Sequence, residues 1–139
     1  MKLIVGALLA LAFSARATAT DCYFHWDKPH HGNRGNVTAL DLSTGKVLWE
    51  ILAGKSVNFV QETGTGVLTG NDEGEVVLLD KTNGKVVWRC RLENKAEIKT
   101  LLAETDEGFF VASGDSQFWL VSRDGKLLLR SSDTCTIPS

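Results

Sequence analysis

Gly35-Asn-Val-Thr-Ala-Leu-Asp41-Leu-Ser-Thr-Gly45-Lys46-Val-Leu-Trp49 matches Gly74-Glu-Val-Val-Leu-Leu-Asp80-Lys-Thr-Asn-Gly84-Lys85-Val-Val-Trp88 at an offset of 39 residues, from the first glycine to the tryptophan. A third, degraded copy reads Gln117-Phe-Trp-Leu-Val-Ser122-Arg-Asp-Gly125-Lys126-Leu-Leu-Leu129. Its turn is one residue shorter, Ser122 stands in place of the aspartate, and Leu129 in place of the tryptophan. Self-similarity at a period of about forty residues marks a repeat architecture, in which each unit buries its apolar face only against its neighbours.

The residue types inside the repeat explain its shape. Val37-Thr-Ala-Leu40 and Val76-Val-Leu-Leu79 are short β-prone runs bounded by polar turns. Asp41 and Asp80 can accept hydrogen bonds from backbone N–H groups two residues on, which starts a turn. Gly45 and Gly84 fall where a hairpin loop needs a left-handed residue. The β-branched and aromatic residues of Lys-Val-Leu-Trp and Lys-Val-Val-Trp then form the next strand. Between the copies, Ser56–Gln61 and Gly66–Thr69, then Glu97–Ala103 and Gly108–Ala112, supply two further strands per unit. No segment after residue 20 has a convincing helical period. The expected fold is therefore all-β, with about three four-stranded antiparallel blades across residues 35–139.

Asp-x-x-x-Gly-Lys-x-x-Trp behind a Val/Leu strand resembles the tryptophan-docking repeat of pyrroloquinoline-quinone (PQQ)-type β-propellers, a family that includes BamB-like outer-membrane assembly lipoproteins. Asp41, Gly45, Trp49, Asp80, Gly84 and Trp88 carry the resemblance, and Gly125 continues it in the third copy. It implies that Trp49 and Trp88 pack between neighbouring blades. Trp119, at a different strand position, is expected in the core. The resemblance also raises a quinoprotein dehydrogenase. Such enzymes hold PQQ over Ca²⁺ on the axis of a much larger propeller, often beneath an adjacent Cys-Cys pair. Cys22, Cys90 and Cys135 stand far apart here, and three blades are too few to enclose the cofactor. The expectation is no cofactor and no enzymatic activity.

The first twenty residues read differently. Met1-Lys2 is a short positive start, Leu3–Phe13 is apolar, and Ala17-Thr18-Ala19 fits a cleavage site. That is the pattern of a secretory signal peptide over residues 1–19, with residues 20–34 as an N-terminal segment ahead of the repeats. Eleven apolar residues are too few to span a bilayer, so no integral membrane span is expected. Asp21 before Cys22 disfavours lipid attachment. The protein is therefore expected outside the cytoplasm, in the periplasm, the extracellular space or a secretory lumen. The whole chain has 139 residues, and its formal net charge of −2 excludes a polybasic nucleic-acid binder. Export permits disulfides: a Cys22–Cys135 bridge would tie the ends, while Cys90, beyond Trp88, reads as a buried thiol.

Other features offer weaker chemistry. His25, His30 and His31 form a cluster that could bind Zn²⁺ or Cu²⁺, although the spacing fits no closed metal site and a polar N-terminal loop is the plainer reading. Asn71–Glu75 is acidic but lacks the EF-hand spacing, and reads as a solvated turn. Glu104, Asp106 and Glu107 read as another exposed turn without an acid–base partner. Asn36-Val37-Thr38 is a glycosylation sequon for a eukaryotic source. The leading expectation is a non-enzymatic binding or scaffold module for a protein partner. It would work through strand-joining loops such as Asn71–Glu75, Glu104–Glu107 and Gly114–Gln117. The rival readings are a fragment or decayed copy of a longer PQQ-type propeller, a dehydrogenase being one source, and a metal module built on the histidines. Removing residues 1–19 leaves room for about three blades, whereas closed propellers use about four to eight. Two copies forming one ring, as a homodimer, would resolve that shortfall.

Overall fold

A computed structural model describes residues 22–26, 35–93 and 95–131. The proposed leader, His30, His31 and Cys135 lie outside the described residues. Eleven strands follow one another along the described residues. They are β1 (Cys22–Trp26), β2 (Asn36–Asp41), β3 (Val47–Leu52), β4 (Val57–Glu62), β5 (Val67–Asn71), β6 (Glu75–Leu79), β7 (Val86–Arg91), β8 (Ile98–Thr105), β9 (Gly108–Ser113), β10 (Phe118–Ser122) and β11 (Leu127–Arg130). Each strand pairs antiparallel with the next inside three sheets: β1-β2-β3, β4-β5-β6-β7 and β8-β9-β10-β11. The second and third sheets are four-stranded blades. The first has three strands among the described residues, and β1 holds the place that β5 and β9 hold as second strands of their blades. The short segment ahead of the repeat thus contributes a strand rather than a loop, and places His25 opposite Thr38 on β2.

The core consists of two seams between sheets. Phe24, Val37, Ala39 and Trp49 of the first sheet meet Val57, Val67, Val77 and Leu79 of the second. Phe59, Leu68, Val76, Leu78 and Cys90 on the other side of the second sheet meet Ile98, Phe109, Val111, Trp119 and Val121 of the third. Successive strand residues point to opposite faces. Val76 and Leu78 therefore serve one seam while Val77 and Leu79 serve the other, and β5 and β6 are buried along their whole length.

A displaced register recurs at the same place in every blade. Leu40 faces Val47, yet Ala39 faces Trp49, leaving Leu48 as the extra residue. The second blade skips Val87 and the third skips Leu128 in the same way. All three skipped side chains are exposed. Without this bulge, strict alternation would send the tryptophan to the same side as Val47, toward the preceding blade. One extra residue reverses the face of everything beyond it. The bulge therefore aims each tryptophan into the seam with the following blade.

Candidate interaction surface

The repeat motif builds the seams from a side chain and a turn. Trp49 Nε1 donates to the carbonyl of Lys81 at 2.9 Å, and Trp88 Nε1 donates to the carbonyl of Arg123 at 2.9 Å. Both acceptors are in the outer turn of the next blade. Each ring lies on the glycine of that turn: a methyl group added at Gly84 would come within 2.5 Å of Trp49 Cε3, and one at Gly125 within 2.6 Å of Trp88 Cδ2. Gly84 (φ 76°) and Gly125 (φ 89°) also need the left-handed backbone. Asp41 Oδ1 accepts from Ser43 N at 2.8 Å, and Asp80 Oδ1 from Thr82 N at 2.7 Å. The Ser43 and Thr82 hydroxyls, followed by those amides, hold both carboxyls below their ordinary pKa. In the third turn Ser122 substitutes through its hydroxyl, which accepts from Lys126 N at 2.9 Å and binds Asp124.

The acidic loops are more structural than their composition implied. Asn71 is buried, and its Oδ1 accepts from the amides of Glu73 (2.9 Å) and Glu75 (3.1 Å). Its Nδ2 donates to Glu75 Oε1 at 3.1 Å and to the Ala53 carbonyl at 3.4 Å, reaching the β3–β4 connection. Glu75 is buried as well, and its two oxygens receive Arg89 Nη1 at 3.1 Å and Arg91 Nη2 at 2.7 Å. Burial pushes the Glu75 pKa up. The Arg91 hydrogen bond, the Asn71 hydrogen bond and the two arginine charges outweigh it, so the net shift is downward. The solvated-turn reading of Asn71–Glu75 is corrected accordingly: it holds for Asp72 and Glu73 but not for the buried Asn71 and Glu75.

Glu104 likewise has partners. It ion-pairs with Arg123 at 2.9 Å and accepts from Gly64 N at 3.2 Å, tying a second-blade turn to the third blade. Strand direction separates the proposed binding loops. Asn71–Glu75 and Gly114–Gln117 both follow the second strand of a four-stranded sheet and share one end of the blades. Glu104–Glu107 follows the first strand and lies at the opposite end. The three therefore do not form one loop surface.

The remaining candidates also find their places. Trp119 is fully buried and donates to Ser113 Oγ at 2.9 Å. Cys90 is buried in the second seam, and burial raises its thiol pKa. His25 is exposed on β1, with its ring 6.3 Å from that of Tyr23. Among the described residues no three His, Cys, Asp or Glu side chains come together to hold a metal.

The two outward faces of the arc were not singled out from the sequence. On the third blade, Leu102, Phe110, Phe118, Leu120 and Leu129 line an apolar groove of about 370 Å³, bordered by Arg130. Phe118 and Leu129 occupy the third-blade positions of Val76 and Trp88, side chains that the second blade turns toward its neighbour. The alternation Phe118-Trp119-Leu120-Val121 was the available signal, since it makes both faces of β10 apolar. On the first blade, Tyr23, His25, Thr38, Leu40 and Glu50 share the face opposite the first seam, and Thr38 Oγ1 donates to Glu50 at 3.2 Å.

Antiparallel sheets docked edge-turn to tryptophan define an arc of β-propeller blades. A family model described as outer membrane protein assembly factor BamB matches residues 33–134. The chain belongs to this BamB-like family of PQQ-type propeller repeats. The solved structures it resembles include BamB from Moraxella catarrhalis, with a TM-score of 0.58 and 16% identity over 81% of this chain. The match spans 38% of that protein's length. No curated protein matches the chain. Among the described residues no helix is long and apolar enough to cross a membrane.

Proposed function

We propose that this protein is an exported, non-enzymatic scaffold whose blades bind another protein. The observation that carries the reading is the trailing face of the third blade. Phe118 is 50% exposed, Leu102 52% and Leu129 42%, on a sheet whose opposite face buries Phe109, Val111, Trp119 and Val121. A contiguous apolar patch rimmed by polar groups marks a protein-interaction site. The family relationship supports the same reading, because the relative's printed name is that of an assembly factor. Ala17-Thr18-Ala19 supports export to the periplasm or beyond.

A photo-crosslinking amino acid at position 118 of the full chain, expressed in its own host, should give discrete adducts with another protein. The same probe at exposed Lys85, in the turn that Trp49 already covers, should not. Absence of adducts at 118, or equal adducts at both positions, would overturn the reading. Mass spectrometry of the exported chain should find an N-terminus at Thr20. An intact Met1 would remove the export step.

The 38% span of the Moraxella catarrhalis chain and the two open faces favour a second reading. Here the blades belong to a larger ring, completed by a second copy or by blades of another propeller. Light scattering on the exported protein separates a monomer from such a ring.

A further inference from the structure

The first blade presents a third tryptophan seat, equivalent to the two that are filled. Gly45 has φ 75°, against 76° at Gly84. Gly45 N donates to the Asp41 carbonyl at 2.7 Å, and Gly84 N to the Asp80 carbonyl at 2.8 Å. Asp41 N and Asp80 N donate to the carbonyls of Lys46 and Lys85 at 2.9 and 2.8 Å. The two turns thus share one hydrogen-bonding scheme. The Asx position fixes the acceptor: Lys81 directly follows Asp80, and Leu42 directly follows Asp41. No described donor reaches the Leu42 carbonyl.

The floor of the seat is also in place. Tyr23 pairs with Leu40 as Val67 pairs with Leu79 and Phe109 with Val121. Tyr23 therefore holds the position of Phe109, whose ring lies 6.2 Å from that of Trp88 in the second seam. Tyr23 is 48% exposed. Where Trp49 covers Gly84 and Trp88 covers Gly125, nothing among the described residues lies within 4 Å of a Cβ built on Gly45. A left-handed glycine alone would satisfy the hairpin. An unused carbonyl and an exposed aromatic floor in the same geometry add what the hairpin does not require.

We infer that the Gly45 turn, the Leu42 carbonyl, Tyr23 and Leu40 form a binding site for a tryptophan presented by the outer strand of a blade on a partner chain. The inference rests on the protein-binding reading above and names one partner chemistry for it. The site continues the series of seams already seen at Gly84 and Gly125, where the occupant is an indole donating through Nε1. A second copy of this chain is the poorer occupant, because its trailing blade offers Leu129 where the donor tryptophan belongs. The partner is instead a propeller blade that keeps the Gly-Lys-x-x-Trp strand.

The test uses the full isotope-labelled chain and the synthetic peptide Gly-Lys-Val-Leu-Trp-Glu, followed by amide resonances. The Gly45 and Leu42 amides should shift saturably, while those of Gly84 and Gly125, whose seats are filled, should not. Replacing the peptide tryptophan by alanine should cost at least about tenfold in affinity, as for a central aromatic anchor. Gly45→Val in the protein should abolish the shifts while leaving the remaining spectrum folded. No shift at Gly45 at millimolar peptide, or equal shifts with the alanine peptide, would overturn the inference. Failure here with crosslinks retained at position 118 strikes the seat alone. Loss of those crosslinks with the peptide shifts intact strikes the trailing-face reading instead.

Discussion

The leading face of the first blade and the trailing face of the third are the two halves of one joint, and they have diverged. The leading face keeps its half: a left-handed glycine, a carbonyl and an aromatic floor, beside the polar pair Thr38–Glu50. The trailing face has lost its half, since Leu129 replaces the tryptophan, yet it stays apolar through Phe110, Phe118 and Leu120. The accepting half is mostly backbone, and the hairpin requires that backbone anyway. The donating half is one side chain, so a single substitution removes it. Docking polarity is therefore built into the arc, and its two ends call for different partners.

The filled joints set the scale for this comparison. Trp49→Ala should lower the unfolding free energy by about 3–5 kcal/mol, the range for removing a large buried aromatic. Denaturant unfolding measures it. A loss below about 1 kcal/mol would mean that the indole seals rather than supports the seam, and the two ends would then differ less in energy than in shape.

Next comes a test of filled against empty seats. Gly84→Ala pushes a methyl into Trp49 and forces an unfavourable φ, costing about 2–4 kcal/mol in overpacking and backbone strain. Gly45→Ala meets no described neighbour, so only the backbone strain of about 1–2 kcal/mol remains. Equal losses in thermal unfolding would show that the leading seat is occupied too.

Glu75→Gln should cost about 1–3 kcal/mol, because Arg89 and Arg91 lose the charge they are bonded to. The pH dependence has a definite sign. The folded-state pKa of Glu75 is depressed, so its stabilisation is complete above the ordinary carboxylate range and disappears as the pH falls through the depressed value. The glutamine variant should therefore lose part of its acid sensitivity. An unchanged acid limb in pH-dependent unfolding would assign that limb to the turn aspartates instead. The smallest expected effect is at the trailing face. Phe118→Ser should change stability by less than about 0.5 kcal/mol while reducing the binding of a hydrophobic dye, which separates a surface that binds from one that holds the fold.

Much of this was legible in the repeat. The 39-residue offset carried the blades, the Asx turns at Asp41 and Asp80 and the left-handed glycines, because each depends on neighbours within five residues. Trp119 and Cys90 were also read as buried. The strand at Cys22–Trp26 was hidden, since its worth lies in pairing with β2 across the intervening residues. The bulges at Leu48, Val87 and Leu128 were hidden too: an inserted residue has no composition of its own and appears only when two strands are laid side by side. The roles of Glu75 and Glu104 depend on arginines 14 to 19 residues away, so each looked like one more exposed acid in a turn.

Cys90 has a consequence in time rather than in energy. Its thiol is shut inside the second seam and held protonated by burial, so an alkylating reagent can reach it only during excursions in which the second and third blades part. Its labelling rate would therefore be a clock for the breathing of a single joint, read from one atom.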